Sequence, residues 1–183
     1  MTKQLPSLSQ APNLTEVFTA FPRGVKPMLE FLEVVLREKS SFTRGERELM
    51  AAHVSSLNAC AYCFGSHAAM AQAFGVAPDL LESLRSDPDN APIAEKLKPV
   101  IRYVSKLTLS PSRMSPVDAQ AVYDAGWDEH ALYDAILVCA AFNMMNRIVD
   151  GTGCVADIPA NAAGSEKPFE SYIEWGKTAG FFD

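Results

Sequence analysis

The sequence has no basic tract, and acidic side chains outnumber basic ones, with 22 Asp and Glu against 16 Lys and Arg and a net charge of −6. Nucleic acids and anionic membrane surfaces attract proteins through clusters of Lys and Arg. We therefore expect neither a nucleic-acid partner nor a membrane partner.

Long apolar runs are also missing. The longest, residues 135–141, is far shorter than the about 20 residues that span a bilayer. Residues 1–10 lack the apolar stretch of a signal peptide. The sequence therefore predicts a cytoplasmic protein.

Strand-like alternation, internal repeats and low-complexity linkers are absent, and apolar residues recur at helical spacing almost throughout. At 183 residues with 48% hydrophobic side chains, the chain can bury a real core as one domain. We predict a single all-α domain over 1–183, with N-terminal helices, a core of about 30–151 and a C-terminal extension over 152–183. The expected helices cover 14–20, 26–37, 43–57, a cysteine-bearing segment ending at 75, then 78–84, 93–107, one opening at 115, and 128–151.

Cysteine is scarce, and two of the four cysteines form a Cys-x-x-Cys pair, which in a cytoplasmic chain is typical of catalysis, redox chemistry or metal binding. On a helix, Cys60, Cys63 and His67 fall within about 60° of one another. Glu48 can join them only if the chain folds back over Leu57-Asn58-Ala59. Antiparallel helices would then place Glu48 and His67 at similar heights.

These residue types suit thiol redox chemistry. A thiolate, rather than a thiol, attacks peroxides and disulfides, and His67, one turn beyond Cys63, can take that thiol's proton. Glu48 can fix the imidazole tautomer and stabilise its charged form. The one-turn spacing lets Cys60 and Cys63 form and release a disulfide without refolding.

Two other interpretations of the same residues are open. The cysteines could be small buried side chains, or the Cys, Cys, His and Glu could bind zinc. A closed zinc site usually gathers a second Cys/His pair, and Cys139 and Cys154 do not provide one. We therefore expect no metal.

At these residues the chain resembles the alkylhydroperoxidase D-like family, within the carboxymuconolactone decarboxylase superfamily. The signature of a Glu, eleven residues, Cys-x-x-Cys, three residues and a His is met at Glu48, Cys60, Cys63 and His67. The flanks at 44–49 and 57–63, and the later segment 141–147, are similar to the peroxidase-related branch, and the resemblance spans roughly 30–151.

The resemblance implies an all-helical bundle, trimers or hexamers, and a peroxidase without a prosthetic group that takes hydroperoxides and a thiol or dithiol reductant. It also implies that Cys63 is oxidised to sulfenic acid, while Cys60 donates a proton and closes the disulfide. In one departure, Tyr62 stands where the best-studied members carry a histidine between the cysteines. The alternatives are a carboxymuconolactone decarboxylase-like lyase, whose relatives lack the cysteine pair, and a thiol–disulfide adaptor or redox sensor.

The remaining polar and aromatic residues have mostly structural interpretations. His53 is expected to be a packed core histidine, His130 an exposed one, Cys139 a core residue and Cys154 a loop residue. A polar stripe on the last long helix faces solvent, a subunit interface or the active-site cleft; it comprises Asn143, Asn146, Arg147 and Asp150. The aromatic tail should pack on the domain or on a neighbouring subunit, and with the long apolar helix it should give more apolar surface than a monomer exposes, which favours a homo-oligomer; its aromatic residues are Phe169, Tyr172, Trp175, Phe181 and Phe182.

Overall fold

The computed structural model of the chain describes residues 3–155 and 170–183, and the regular elements in them are helical. The α-helices are α1 (Leu14–Ala20), α2 (Val25–Leu36), α3 (Arg44–Leu57), α4 (Ala61–Ala73), α5 (Pro78–Ser86), α6 (Lys98–Leu109), α7 (Pro116–Asp124), α8 (Glu129–Thr152) and α9 (Tyr172–Thr178). Single 3-10 turns cover Glu95–Leu97 and Pro111–Arg113. The all-α prediction is confirmed.

Local capping chemistry explains why most helix ends fall where the sequence places them. Thr43 accepts a hydrogen bond from the Glu46 N–H, and the Glu46 carboxylate accepts one from the Thr43 N–H, which is a capping box at the start of α3. After α4, Gly75 adopts φ +92°, a conformation that costs a side-chain-bearing residue strain.

Helix α6 begins five residues later than predicted, at Lys98 rather than 93. Pro99 is the reason, because proline in a helix interior lacks an N–H and clashes with the preceding turn, whereas in the first turn it is well tolerated. The chain therefore approaches α6 through the 3-10 turn at Glu95–Leu97.

Helices α3 and α4 form the antiparallel hairpin on which the site depends. The chain reverses at Asn58 and Ala59, and Ala59 takes a left-handed φ of +57°. The N–H of Cys60 then donates to the carbonyl of Ser55 at 3.0 Å, which closes the turn. The predicted fold-back at 57–59 is confirmed.

Helix α8 lies at the centre of the bundle and packs against α2, α3 and α6. By length and composition alone it could cross a membrane, but half of that apolar stretch is buried inside the domain. Its inward side chains, among them Val138 and Phe142, belong to one core shared with the other helices. Core packing thus accounts for the apolar character of α8.

The described part of the C-terminal extension packs on the domain itself. The Glu33 carboxylate on α2 accepts a hydrogen bond from the Tyr172 N–H at 2.6 Å. The rings of Trp175 and Phe181 lie 6.0 and 5.6 Å from that of Phe18. Of the two predicted positions of this tail, the structure shows packing on the domain. Tyr172, Trp175, Phe181 and Phe182 are buried or partly buried, so the exposed apolar surface expected from them is not found; Phe169 lies outside the described residues.

His53 is a packed core histidine, as predicted. Ser105 donates its hydroxyl hydrogen to the Ile101 carbonyl at 2.7 Å, so it accepts from His53 Nε2, which lies 2.7 Å away. His53 Nδ1 is buried and has no partner among the residues of 3–155 and 170–183. A proton added there would be a buried donor without an acceptor, and burial lowers the pKa of His53 to about 4.

This burial predicts a pH dependence of stability. The unfolded chain protonates His53 near its ordinary pKa of 6.5, while the folded chain does so only near 4. The stabilisation is therefore complete above pH 6.5 and is lost as the pH falls toward 4, by about 3 kcal/mol at 1.4 kcal/mol per pKa unit. In urea titrations, His53→Gln, which can still donate to Ser105, should remove most of this loss.

The matched control is His130→Gln, because His130 is exposed in the first turn of α8. It should keep the acid-dependent loss of the parent protein. Equal pH slopes for His53→Gln and the parent would contradict the assignment to His53.

Candidate thiol active site

A buried chain of charges forms one wall of the site. The Glu48 side chain is inaccessible to solvent, and its Oε2 lies 2.5 Å from His67 Nδ1. Its Oε1 accepts a hydrogen bond from Arg37 Nη1 at 2.6 Å, and the Arg37 side chain is only 1% exposed. The hairpin thus brings the predicted Glu48 and His67 together, and the end of α2 adds Arg37.

The electrostatics of this chain hold Glu48 as a carboxylate. Burial would raise the pKa of Glu48, but His67 and Arg37 outweigh burial and lower that pKa below its ordinary value. A carboxylate at Nδ1 keeps the hydrogen of the neutral imidazole on that nitrogen. His67 can therefore accept a proton at Nε2.

Arg37 is the residue that sequence reasoning missed. In the sequence it opens the run Arg37-Glu38-Lys39, which is typical of a solvated helix end. In the structure its guanidinium carbon lies 5.2 Å from the centre of the Phe74 ring and 5.0 Å from that of Tyr172. The available signal was Glu48 itself, because a buried carboxylate needs a cation or several donors beside it.

The two thiols lie at the start of α4. Cys63 lies in the first turn of α4. Cys60 is the residue just before the helix, whereas the sequence predicts it within the helix. Both are free thiols, and Cys60 is 0% and Cys63 4% exposed. Burial raises the pKa of both thiols. Cys60 raises the pKa of Cys63 further, whereas a hydrogen bond from the Cys63 N–H partly offsets the rise in the pKa of Cys60. The resting pair is therefore protonated, and attack on a substrate requires a nearby base.

Cys63 and His67 open onto one apolar cavity of about 350 Å³. Its walls come from α1, α2, α4, α8 and α9, and they include Leu14, Phe18, Leu29, Leu32, Tyr62, Ser66, Met70, Phe142, Met145, Tyr172 and Trp175. The His67 ring meets the Phe142 ring edge-on at 4.4 Å. No hydrogen bond links His67 to Cys63 in the described part of the chain, so a proton must cross between them through this cavity.

The polar stripe of α8 contributes to the site. Burial raises the pKa of both thiols; Asn146, itself 1% exposed, opposes that rise at Cys63, whereas the more exposed Asp150 adds to the rise in the pKa of Cys60. Arg147 is exposed on the outer side of the helix. Val149, on the same helix, packs against Cys60 and Cys63, so this part of the stripe lies next to the cysteine pair and outside the cavity lining.

The other predicted residues lie at the edge of the site or outside it. The Tyr62 hydroxyl accepts a hydrogen bond from the Leu14 N–H at 3.3 Å and so joins α4 to the start of α1. Cys139 is buried, 3.3 Å from the Thr108 hydroxyl, and Cys154 is partly buried near Val149. Among residues 3–155 and 170–183, no three His, Cys, Asp or Glu side chains are arranged to hold a metal ion.

Comparison with known proteins identifies relatives of this arrangement. Residues 22–86 match the model of the carboxymuconolactone decarboxylase family. YdfG, an uncharacterised protein of Bacillus subtilis, is 27% identical over 127 residues, which cover 69% of this chain and 85% of that protein.

Solved structures share the fold. An uncharacterised peroxidase-related protein from a Silicibacter species superposes with a TM-score of 0.76 at 23% identity, over 85% of this chain and 81% of that one. A peroxidase-related protein from Ralstonia eutropha, described as an alkylhydroperoxidase AhpD core, gives 0.76 at 17% identity, over 84% and 80%. A protein of unknown function from Agrobacterium tumefaciens gives 0.67 at 15% identity, over 86% and 100%.

Proposed function

We propose that this chain, in which residues 22–86 match the carboxymuconolactone decarboxylase family and which has the alkylhydroperoxidase D-like fold, is a cysteine-based peroxidase. It reduces hydroperoxides through Cys60 and Cys63, with His67 and Glu48 as the acid–base pair and no prosthetic group. One observation carries this proposal: Cys63, one thiol of the pair, and a carboxylate-oriented imidazole open onto the same apolar cavity.

The geometry supports Cys63 as the attacking thiol, because Cys63 lines the cavity whereas Cys60 is fully buried behind it. His67 Nε2 takes the Cys63 proton, across the cavity, and the thiolate attacks the outer oxygen of the hydroperoxide. The O–O bond breaks, the leaving alkoxide recovers the proton from His67, and the products are an alcohol and a Cys63 sulfenic acid.

Cys60 then resolves the intermediate. Its sulfur attacks Cys63 Sγ, the S–O bond breaks, and the hydroxyl leaves as water with the Cys60 proton. A thiol or dithiol reductant restores the pair by exchange. The cytoplasm is the proposed location, since its thiol pool keeps such pairs reduced.

Burial of both sulfurs favours this reaction over the alternative functions. A thiol–disulfide adaptor must bring a partner protein's sulfur to its own, and Cys60 and Cys63 are at most 4% exposed. A lyase of the superfamily's decarboxylase type has no use for the dithiol. A small hydroperoxide can reach Cys63 through the cavity.

Peroxide should convert the reduced protein to an intramolecular Cys60–Cys63 disulfide, while Cys139 and Cys154 stay reduced. Cys60→Ser should trap a sulfenic acid on Cys63, because the resolving sulfur is gone. Cys63→Ser should abolish peroxide consumption and leave no sulfenic acid. Anaerobic titration, peptide mapping and dimedone labelling measure all three.

Two results would contradict this scheme. Mapping that joins Cys60 or Cys63 mainly to Cys139 or Cys154 would exclude the pair as the redox centre. A dimedone adduct in Cys63→Ser but not in Cys60→Ser would reverse the order of attack.

The apolar cavity supports an organic hydroperoxide as the better substrate, since hydrogen peroxide cannot use apolar walls for binding. Met145→Gln places an amide of similar size in the wall, where it loses water without gaining a partner. It should lower kcat/KM for cumene hydroperoxide about tenfold, which is 1.4 kcal/mol, and change kcat/KM for hydrogen peroxide little.

Met144→Gln is the matched control, because the neighbouring Met144 is 37% exposed outside the cavity. Its kcat/KM values should equal those of the parent. A parent protein that prefers hydrogen peroxide, or a Met145→Gln variant that loses both substrates equally, would exclude the proposed specificity.

We also propose that the chain forms a homo-oligomer, a trimer or hexamer as its resemblance implies. Outward residues on α8, including Tyr133 at 60% and Met144 at 37% exposure, give an apolar surface suited to a subunit interface. Light scattering at micromolar concentration should give a multiple of the 19.9 kDa chain. A monomer mass would overturn this proposal.

A further inference from the structure

Polar side chains form a buried network where the α3–α4 turn meets α8. Asn58 Nδ2 donates to Asn146 Oδ1 at 2.8 Å and to Asn143 Oδ1 at 3.2 Å. Asn146 Nδ2 donates to Ser55 Oγ at 3.0 Å. This network adjoins the cysteine pair, because the Cys60 N–H donates to the Ser55 carbonyl at 3.0 Å. Val149, three residues after Asn146 on α8, packs against Cys60 and Cys63.

The orientation of each amide follows from a group that can only donate. Arg147 Nη1 lies 3.1 Å from Asn143 Oδ1, and a guanidinium has no acceptor, so the Asn143 atom there must be oxygen. Because Asn143 Oδ1 can only accept, the Asn58 atom beside it must be the nitrogen, which donates. The same Asn58 nitrogen also lies beside Asn146, so the Asn146 atom there must be its oxygen, and the Asn146 nitrogen points toward Ser55.

Ser55 fixes Asn146 independently from the opposite end. The Ser55 hydroxyl has a single hydrogen, which it donates to the Ala51 carbonyl at 2.8 Å. Toward Asn146 it can only accept, so Asn146 must present nitrogen. Both ends of the network therefore give the same orientation for this buried amide.

An amide nitrogen carries two hydrogens, and Ser55 uses only one of those on Asn146. We propose that the second N–H of Asn146 donates to Cys63 Sγ and stabilises the attacking thiolate, which makes Asn146 a catalytic residue. This inference rests on the proposed function, in which Cys63 attacks. Asn146 gains and loses no proton; the proton of Cys63 goes to His67 Nε2 as described above.

The contact next to the other thiol differs in kind. Asp150 lies one helical turn beyond Asn146 on α8, and its carboxylate, which can accept but cannot donate, adds to the rise that burial causes in the pKa of Cys60. The same helix thus offers a hydrogen-bond donor to Cys63 and an acceptor to Cys60. In agreement, Asn146 acts to lower the pKa of Cys63 against the rise caused by burial, while Asp150 acts to raise the pKa of Cys60.

The test measures the acidity of Cys63 without using peroxide. In a Cys60→Ser background, the rate of iodoacetamide alkylation at Cys63 is followed against pH, resolved by peptide mass spectrometry. Asn146→Leu, which keeps the volume and removes the N–H, should raise the pKa of Cys63 by about one unit, since a hydrogen bond to a charged group is worth about tenfold or more. The groups that face Cys63 and remain in both proteins are His67, Glu48, Asp150 and Tyr172.

Asn143→Leu is the matched control, because it removes an amide of the same network one turn away that contacts Cys139 rather than Cys63. It should leave the pKa of Cys63 unchanged, since Ser55 still orients Asn146. If Asn146→Leu does not fold, Asn146→Asp keeps the shape and should raise the pKa at least as far. An unchanged pKa in the folded Asn146 variant, or equal shifts at positions 143 and 146, would overturn the assignment.

The outcomes separate this inference from the proposed peroxidase activity. A parent protein that consumes no hydroperoxide, but in which Asn146→Leu raises the pKa of Cys63, would retain the donor and exclude the peroxidase. If the parent protein is a peroxidase and Asn146→Leu leaves both the alkylation profile and the oxidation rate unchanged, the peroxidase proposal is retained and the Asn146 donor is excluded.

Discussion

The Glu48 carboxylate is the group on which the site depends, because it is ionised where no water can solvate it. Its charge is balanced by Arg37 on one oxygen and met by His67 on the other. Removing one partner of such a buried pair typically costs about 3–5 kcal/mol, since the remaining charge is left uncompensated. The end of α2, the middle of α3 and the second turn of α4 are therefore held in one register by a single side chain.

The buried Glu48 carboxylate also constrains the residues packed around it. Aromatic rings from Phe74 and Tyr172 cover the Arg37 guanidinium and keep water from the ion pair. The cavity beyond His67 is mostly apolar, and the imidazole and the Cys63 thiol are among the few polar groups that line it. Reactive atoms in such surroundings interact more strongly than they would in water.

Most of the fold could be predicted from the sequence, because its signals are local. Helical periodicity, the Thr43 capping box and Gly75 each act over a few residues, and the hairpin follows from them. The failures have equally physical causes. Apolar periodicity alone extends α6 back across Pro99, which is why its predicted start is wrong. The sequence leaves open what the tail packs on, because Glu33, the residue that anchors it, lies about 140 positions away.

The residues of the candidate site also differ in whether a local sequence pattern predicts them. Glu48, Cys60, Cys63 and His67 were found because their spacing is regular within one hairpin. Arg37 and the orientation of Asn146 were not, since each is determined by contacts between elements that no short pattern records.

The contribution of α9 to the cavity has a consequence for biosynthesis. The thiols and their charge chain are encoded by residues 37–67, whereas Tyr172 and Trp175 complete the wall more than a hundred residues later. At ribosomal speeds of roughly 5–20 residues per second, that separation corresponds to roughly 5–20 s. During each round of translation the nascent chain therefore presents Cys60 and Cys63 before the C-terminal part of the cavity wall exists, and α9 cannot shield them in that interval.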